Sequence, residues 1–242
     1  MTRTARLVAC LLVAAACNKK DDGAAAPAAK GAPDRPAAGG AAGPARPTAD
    51  PGPFGAWNQA GVTARLQGAW VLRDVSFLGS VEAWEVKGDK VTVFDGTKEE
   101  TLELAVEAPC QLTTTKRNPD GSSQGGTSHF VFAGDTLHLG LGDAGVKLGD
   151  TVVGCMSNGV YLWKGGTCQF FTEMFDKWDA KEATCSLAGD LFKAANPTFK
   201  HEGEMKLAGD VLMSDQLRAN PAVKVKDLAE AKARVTELKA AK

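Results

Sequence analysis

The chain has 242 residues, with 28 Lys and Arg against 29 Asp and Glu and 24% charged residues, an ordinary charge content for a folded protein. A formal charge of -1 excludes the basic footprint that a nucleic-acid-binding domain needs. No stretch approaches the ~20 consecutive apolar residues of a membrane-spanning helix, and the length allows one or two domains.

The first element is an address. Arg3 and Arg6 precede an unbroken apolar run from Leu7 to Ala16, the charge-then-grease order of an export signal. Ala14-Ala15-Ala16 then lead into Cys17. This N-terminus resembles the lipobox of bacterial lipoproteins, with Ala14 where that family prefers Leu. The resemblance implies a signal peptide over residues 1–16, a diacylglyceryl thioether on Cys17 and an acylated amino group. Two or more chains anchor stably where one is marginal, at ~0.8 kcal/mol per buried methylene. Asn18 follows the cysteine, where Asp resembles an inner-membrane retention signal. The expected location is therefore the cell envelope, on the outer membrane.

Residues 17–55 read as the lipidated cysteine and a tether. Pro27, Pro33, Pro36, Pro44, Pro47, Pro51 and Pro53 interrupt a stretch of Ala, Gly and scattered charge. Such a composition cannot offset the entropy of ordering. It would reach ~35 Å as a flexible coil or ~120 Å as extended polyproline II. Removing residues 1–16 takes away Arg3 and Arg6, so the mature charge is 26 minus 29, or -3.

Residues 56–220 are expected to form a mainly β, antiparallel domain, and residues 221–242 a C-terminal amphipathic helix. Gly88-Asp89, Gly134-Asp135, Gly149-Asp150, Gly189-Asp190 and Gly209-Asp210 each fit a two-residue hairpin whose first central residue takes a positive φ. Asn158-Gly159 and Gly165-Gly166 are further turn signals. Twelve runs between the turns read as strands, from Trp70–Val75 through Phe199–Leu207, giving a meander that fits a barrel or two packed sheets. Leu228, Ala231, Val235 and Leu238 form an apolar stripe at helical spacing near the end.

Leu66-Gln67-Gly68-Ala69-Trp70-Val71 resembles the Gly-x-Trp entry of lipocalins and related calycin barrels. The resemblance implies that Gly68 and Trp70 plug the closed end of an up-and-down barrel, with Arg218 as the candidate for the family's late arginine. It also implies a cavity for a small apolar ligand. Tyr161-Leu162-Trp163-Lys164-Gly165-Gly166 is similar to a stretch of membrane-anchored lysozyme inhibitors, which makes an envelope interaction module, an inhibitor or a subunit, the alternative.

Cys110, Cys155, Cys168 and Cys185 remain once Cys10 and Cys17 are set aside, an even number that reads as two disulfides in an exported domain. The Asn158-Gly159 turn sets Cys155 opposite Leu162, and the Gly165-Gly166 turn sets Cys168 opposite Trp163. These lie on opposite strand faces, which excludes a Cys155–Cys168 bridge. Cys110–Cys155 with Cys168–Cys185, or Cys110–Cys168 with Cys155–Cys185, both remain, and the reading leans to the first. Both faces of the 151–171 strands are apolar, so a second layer is expected over them, with the C-terminal helix as the candidate, or else a binding surface.

Catalytic signatures are missing from the sequence: no P-loop, dinucleotide fingerprint, Gly-x-Ser-x-Gly or His-Glu-x-x-His occurs. The expectation is a non-enzyme without cofactor or metal. His129 and His138 fall on one strand face, read as a polar outer face, and His201 stands alone. Glu99, Glu100, Glu103 and Glu107 read as a solvated face. Trp57, Trp84 and Trp178 are candidates to line a pocket.

Overall fold

The computed structural model describes residues 52–55, 57–73, 80–174, 177–196 and 201–241. The leader, Cys17 and the tether to Pro51 lie outside the described residues. Gly52–Phe54 makes one turn of 3-10 helix. Helix α1, Gln59–Leu66, follows, with the Asn58 side chain accepting from the Gly61 amide at 2.8 Å. Seven strands come next: β1 Gly68–Arg73, β2 Val81–Lys87, β3 Lys90–Phe94, β4 Glu99–Ala108, β5 Gln111–Arg117, β6 Ser123–Ala133 and β7 Thr136–Gly140. Nine more are β8 Ala144–Leu148, β9 Thr151–Met156, β10 Gly159–Lys164, β11 Thr167–Met174, β12 Lys177–Glu182, β13 Thr184–Ala188, β14 Leu191–Asn196, β15 His201–Ala208 and β16 Val211–Met213. The chain ends with α2 Asp215–Ala219, β17 Val223–Val225 and α3 Leu228–Ala240.

The expected mainly β architecture is present as two antiparallel sheets, each curled into a nearly closed barrel. The first has the order β17-β1-β2-β3-β4-β5-β6-β7. Its ends approach each other where His138 of β7 bridges Pro221 and the Ala222 amide donates to the Leu137 carbonyl at 2.8 Å, just before β17. The second has the order β12-β11-β10-β9-β8-β16-β15-β14-β13. Its two outermost strands are consecutive in the chain, separated only by Ala183, whose amide donates to the Cys168 carbonyl at 3.2 Å. Residues 177–188 thus run as one bent strand that pairs with β11 and then with β14. Curling satisfies the backbone groups that open edges would expose.

The five Gly-Asp hairpins form as the sequence predicts. Gly88, Gly134, Gly149, Gly189 and Gly209 have φ between 59° and 65°, which only glycine adopts without steric cost. The β9–β10 turn differs. Met156 pairs with Gly159, so Ser157-Asn158 forms the turn and Cys155 faces Val160, not Leu162. Gly159 serves instead as a point of close approach, since a Cβ there would lie 2.5 Å from the Phe171 carbonyl oxygen. Val160 and Leu162 share a strand face, so the exclusion of a Cys155–Cys168 bridge is unaffected. Trp163 faces Cys168 as expected.

The bridges are Cys110–Cys155 and Cys168–Cys185, the pairing toward which the sequence leaned. Cys110, in the β4–β5 turn, joins the first barrel to β9 of the second. Cys168–Cys185 ties β11 to the far half of the bent strand.

Both faces of β9–β11 are buried because each meets a different core. Met156, Tyr161, Cys168 and Phe170 face the lumen of the second barrel, with Phe192 and Met205. Val153, Cys155, Val160 and Phe171 pack against Ala108, Cys110 and Val131 of the first barrel. The cover is therefore the neighbouring barrel and not the C-terminal helix. Helix α3 lies on β1 and β2 instead, where Ala231 and Val235 meet Val71, Val81 and Ala83. Its predicted stripe is the buried one, with Asp227 capping the helix through the Glu230 amide at 2.9 Å.

The folded region reaches beyond the expected boundaries. Phe54, assigned to the tether, is 2% exposed and stacks edge-on against Phe171 and Trp178. Residues 223–225, assigned to the helical tail, form β17. Strands β8, β12, β14, β16 and β17 and helices α1 and α2 were not foreseen. The Ala, Gly, Lys, Asp and Asn of β8, β12 and β14 give weak β propensity, and β16 and β17 are only three residues long; pairing with neighbours supplies what these segments lack.

Candidate functional site

A cleft of about 700 Å³ opens between the rims of the two barrels. Strands β5 and β6 contribute Gln111, Thr127 and His129, the β9–β10 turn contributes Ser157 and Asn158, and β11 and β12 contribute Thr172 and Trp178. Asp143 enters from the β7–β8 link, and Ser214 and Gln216 from the start of α2. Its size is that of small-molecule sites.

The lining mixes polar groups already bonded within the protein, such as Ser214, which caps α2, with the Gln111 carboxamide. Gln111 is 7% exposed, pairs across the ladder with His129, and its carboxamide has no hydrogen-bond partner among the described residues. Asn158 donates to the Tyr161 hydroxyl at 2.9 Å, while its buried Oδ1 has no partner. Leaving a buried polar group unpaired costs about 1–3 kcal/mol. Trp178 is braced by Phe54, with ring centroids 4.9 Å apart. Among the sequence candidates, Trp178 does line this cleft. Trp84 lies in the core of the first barrel and Trp57 packs at its margin.

The two strand-face histidines are not on a polar outer face. His129 is 4% and His138 7% exposed, because the second barrel and α2 cover that face. His129 Nδ1 lies 3.2 Å from the Gly142 carbonyl, and His138 Nδ1 3.2 Å from the Leu217 carbonyl. Each ring thus holds a connecting segment in place. His201 begins β15, and its side chain lies outside the described residues. Among the described residues, no group of three His, Cys, Asp or Glu is placed to hold a metal.

Burial pushes the His129 imidazole below its ordinary value, and hydrogen bonds with the Gly142 and Met156 carbonyls draw it part of the way back. The folded protein therefore holds this ring neutral where the unfolded chain takes up a proton, below about pH 6.5. Stability contributed by His129 is complete above that pH and is lost as pH falls toward the depressed folded value. Urea midpoints should fall between pH 7.5 and 5.5, and His129→Gln should flatten that slope. An unchanged slope in the variant would show that another group carries it.

Trp70 is 3% exposed. Its Nε1 donates to the Leu66 carbonyl at 2.8 Å, closing the first barrel against α1. Gly68 precedes it at φ 111°. The cation over the Trp70 ring is Lys224, with Nζ 5.0 Å from the centroid. Arg218 sits in α2 beside Asp215 instead. The apolar space around Trp70, Leu72, Trp84 and Leu104 amounts to about 10 Å³, barely one water. Side chains fill the lumen in which a lipocalin-like ligand was expected.

Glu99, Glu103 and Glu107 share the outer face of β4, whereas Glu100 falls on the other strand face, toward its end. Glu103 accepts from Arg117 Nε at 3.0 Å, Glu107 accepts from Thr113 Oγ1 at 3.0 Å, Glu100 pairs with Lys116, and Glu99 with Lys232 of α3. The Trp163-Lys164-Gly165 stretch runs into the exposed β10–β11 turn. Val223 is the large apolar residue most open to solvent among those described.

No family model, curated protein or solved structure matches this chain.

Proposed function

We propose that the protein is a lipid-anchored, non-catalytic binding module of the cell envelope whose ligand enters the polar cleft between its two barrels. The observation that carries this reading is the contrast between the two spaces. The lumen expected to hold an apolar molecule has about 10 Å³, while the cleft has about 700 Å³ and a lining of amide and hydroxyl side chains. The polar site thus replaces the small apolar ligand of the lipocalin-like reading. The alternative, a protein-docking module, rests on apolar surface, of which the described residues offer little beyond Val223. A non-catalytic role is supported by His129 and His138, which bond to backbone carbonyls, and by the glutamates of β4, which are engaged with Lys, Arg or Thr.

Placement in the envelope rests on the leader, on Cys17 and on two disulfides of the kind exported proteins keep. Outer-membrane anchoring rests on Asn18.

Two measurements test the reading. Intact mass of the mature chain should show Cys17 at the N-terminus carrying a diacylglyceryl group and an amide-linked acyl chain; a free thiol there refutes the anchor. N-phenyl-1-naphthylamine, an apolar fluorophore, should give no saturable signal with the protein. Saturable micromolar binding, lost on filling the first barrel by Leu104→Phe, would restore the apolar lumen and displace the cleft.

A further inference from the structure

The chemistry of the cleft defines what it can hold, granted the reading that it is the ligand site. Its lining carries amides from Gln111, Asn158 and Gln216 and hydroxyls from Thr127, Ser157, Thr172 and Ser214. No Lys or Arg is among the lining residues, so a phosphate or carboxylate would meet no countercharge. Asp143 is the one carboxylate, and the His129 ring beside it is held neutral by burial. An apolar ligand would cover the Gln111 carboxamide without pairing it, at the cost of desolvating that group.

Amides supply a donor and an acceptor on one rigid plane, and hydroxyls can do either. Such a set matches a ligand that also offers paired donors and acceptors, as vicinal hydroxyls do. Trp178 adds a wide apolar surface to one wall, suited to the C–H face of a ring. We infer that the cleft binds a neutral, hydroxyl-rich ligand of the carbohydrate class, hydrogen-bonded by the Gln111 carboxamide and the hydroxyls of the lining and lying against Trp178.

Gln111 makes the inference decisive, because its two roles have opposite signatures. As a structural residue it should stabilise the fold, and its replacement should cost stability. As a ligand group kept unpaired in the free protein, it should be replaceable by Met without loss of stability, or with a gain. The same change should weaken binding about tenfold, the scale of one lost hydrogen bond.

The experiment titrates the full-length protein with neutral trisaccharides (chitotriose, maltotriose, cellotriose), with glucuronic-acid trisaccharides and with N-phenyl-1-naphthylamine. Binding is followed by calorimetry, and the site by the His129 and Trp178 ring resonances. The expected result is saturable binding of a neutral trisaccharide that shifts both resonances. Gln111→Met should weaken it about tenfold while leaving the melting temperature equal or higher, and Trp178→Ala should weaken it too. If the charged sugar or the apolar probe shifts those resonances and no neutral sugar does, the ligand class is wrong and the site stands. If a neutral sugar binds without shifting them, the site is wrong. If nothing binds, or if Gln111→Met lowers stability and spares affinity, the inference is overturned.

Discussion

Trp70→Ala is expected to destabilise the folded region by about 3–5 kcal/mol, the cost of truncating a fully packed aromatic. The indole fills the α1 end of the first barrel, and its Nε1 is the partner of the Leu66 carbonyl. Truncation leaves a cavity among Leu66, Leu72 and Trp84, strips that carbonyl of a donor and removes the ring beneath Lys224. The surroundings cannot collapse into the gap, because β1 is pinned on its other face by α3. Trp70→Phe should fall between wild type and alanine, since it restores volume without the hydrogen bond. Urea unfolding gives both values, and a loss below about 1 kcal/mol for alanine would mean that Trp70 does not close the barrel.

The second large effect concerns the bridge between the barrels. Cys110 and Cys155 are 45 residues apart and Cys168 and Cys185 are 17 apart. Loop-closure entropy predicts that the longer bridge contributes about 4 kcal/mol and the shorter about 3 kcal/mol. Paired Ala replacements avoid leaving an orphan thiol. Cys110→Ala with Cys155→Ala should therefore cost the most. It should also raise hydrogen exchange at the barrel contact around Val131 and Val153, whereas removing Cys168–Cys185 should loosen the bent strand at Ala183. Equal exchange profiles for the two double variants would refute this division of labour.

How much of this was legible beforehand depends on whether the signal was local. A Gly-Asp pair between apolar runs carries its own conformational constraint, so five hairpins could be read without a structure. Strand parity is equally local. The β9–β10 turn was displaced, yet the facing of Cys155 away from Cys168 survived, because Val160 and Leu162 lie on one face. The stripe of α3 was legible for the same reason, since its period belongs to the helix itself. Strand β8 was not legible. Gly145 faces Gly154 across the ladder, and a Cβ on Gly145 would lie 2.7 Å from the Val153 carbonyl, so close approach demanded residues that composition reads as loop.

The cleft was hidden for a related reason. Gln111, Asn158 and Trp178 are separated by tens of residues and share no motif; only the meeting of two barrel rims makes them neighbours. His129 and His138 were placed on the correct strand face, but nothing in their alternation told that a second barrel would cover it.

Sequence alone determined the β class, the Gly-Asp turns, the strand faces and the terminal helix, because φ preference and side-chain alternation act over a few residues. The closure of two barrels in place of one, the choice between two permitted disulfide pairings, the filling of the lumen and the opening of a polar cleft were decided by tertiary structure. Each depends on which apolar face finds which partner, and burial is a property of the pair.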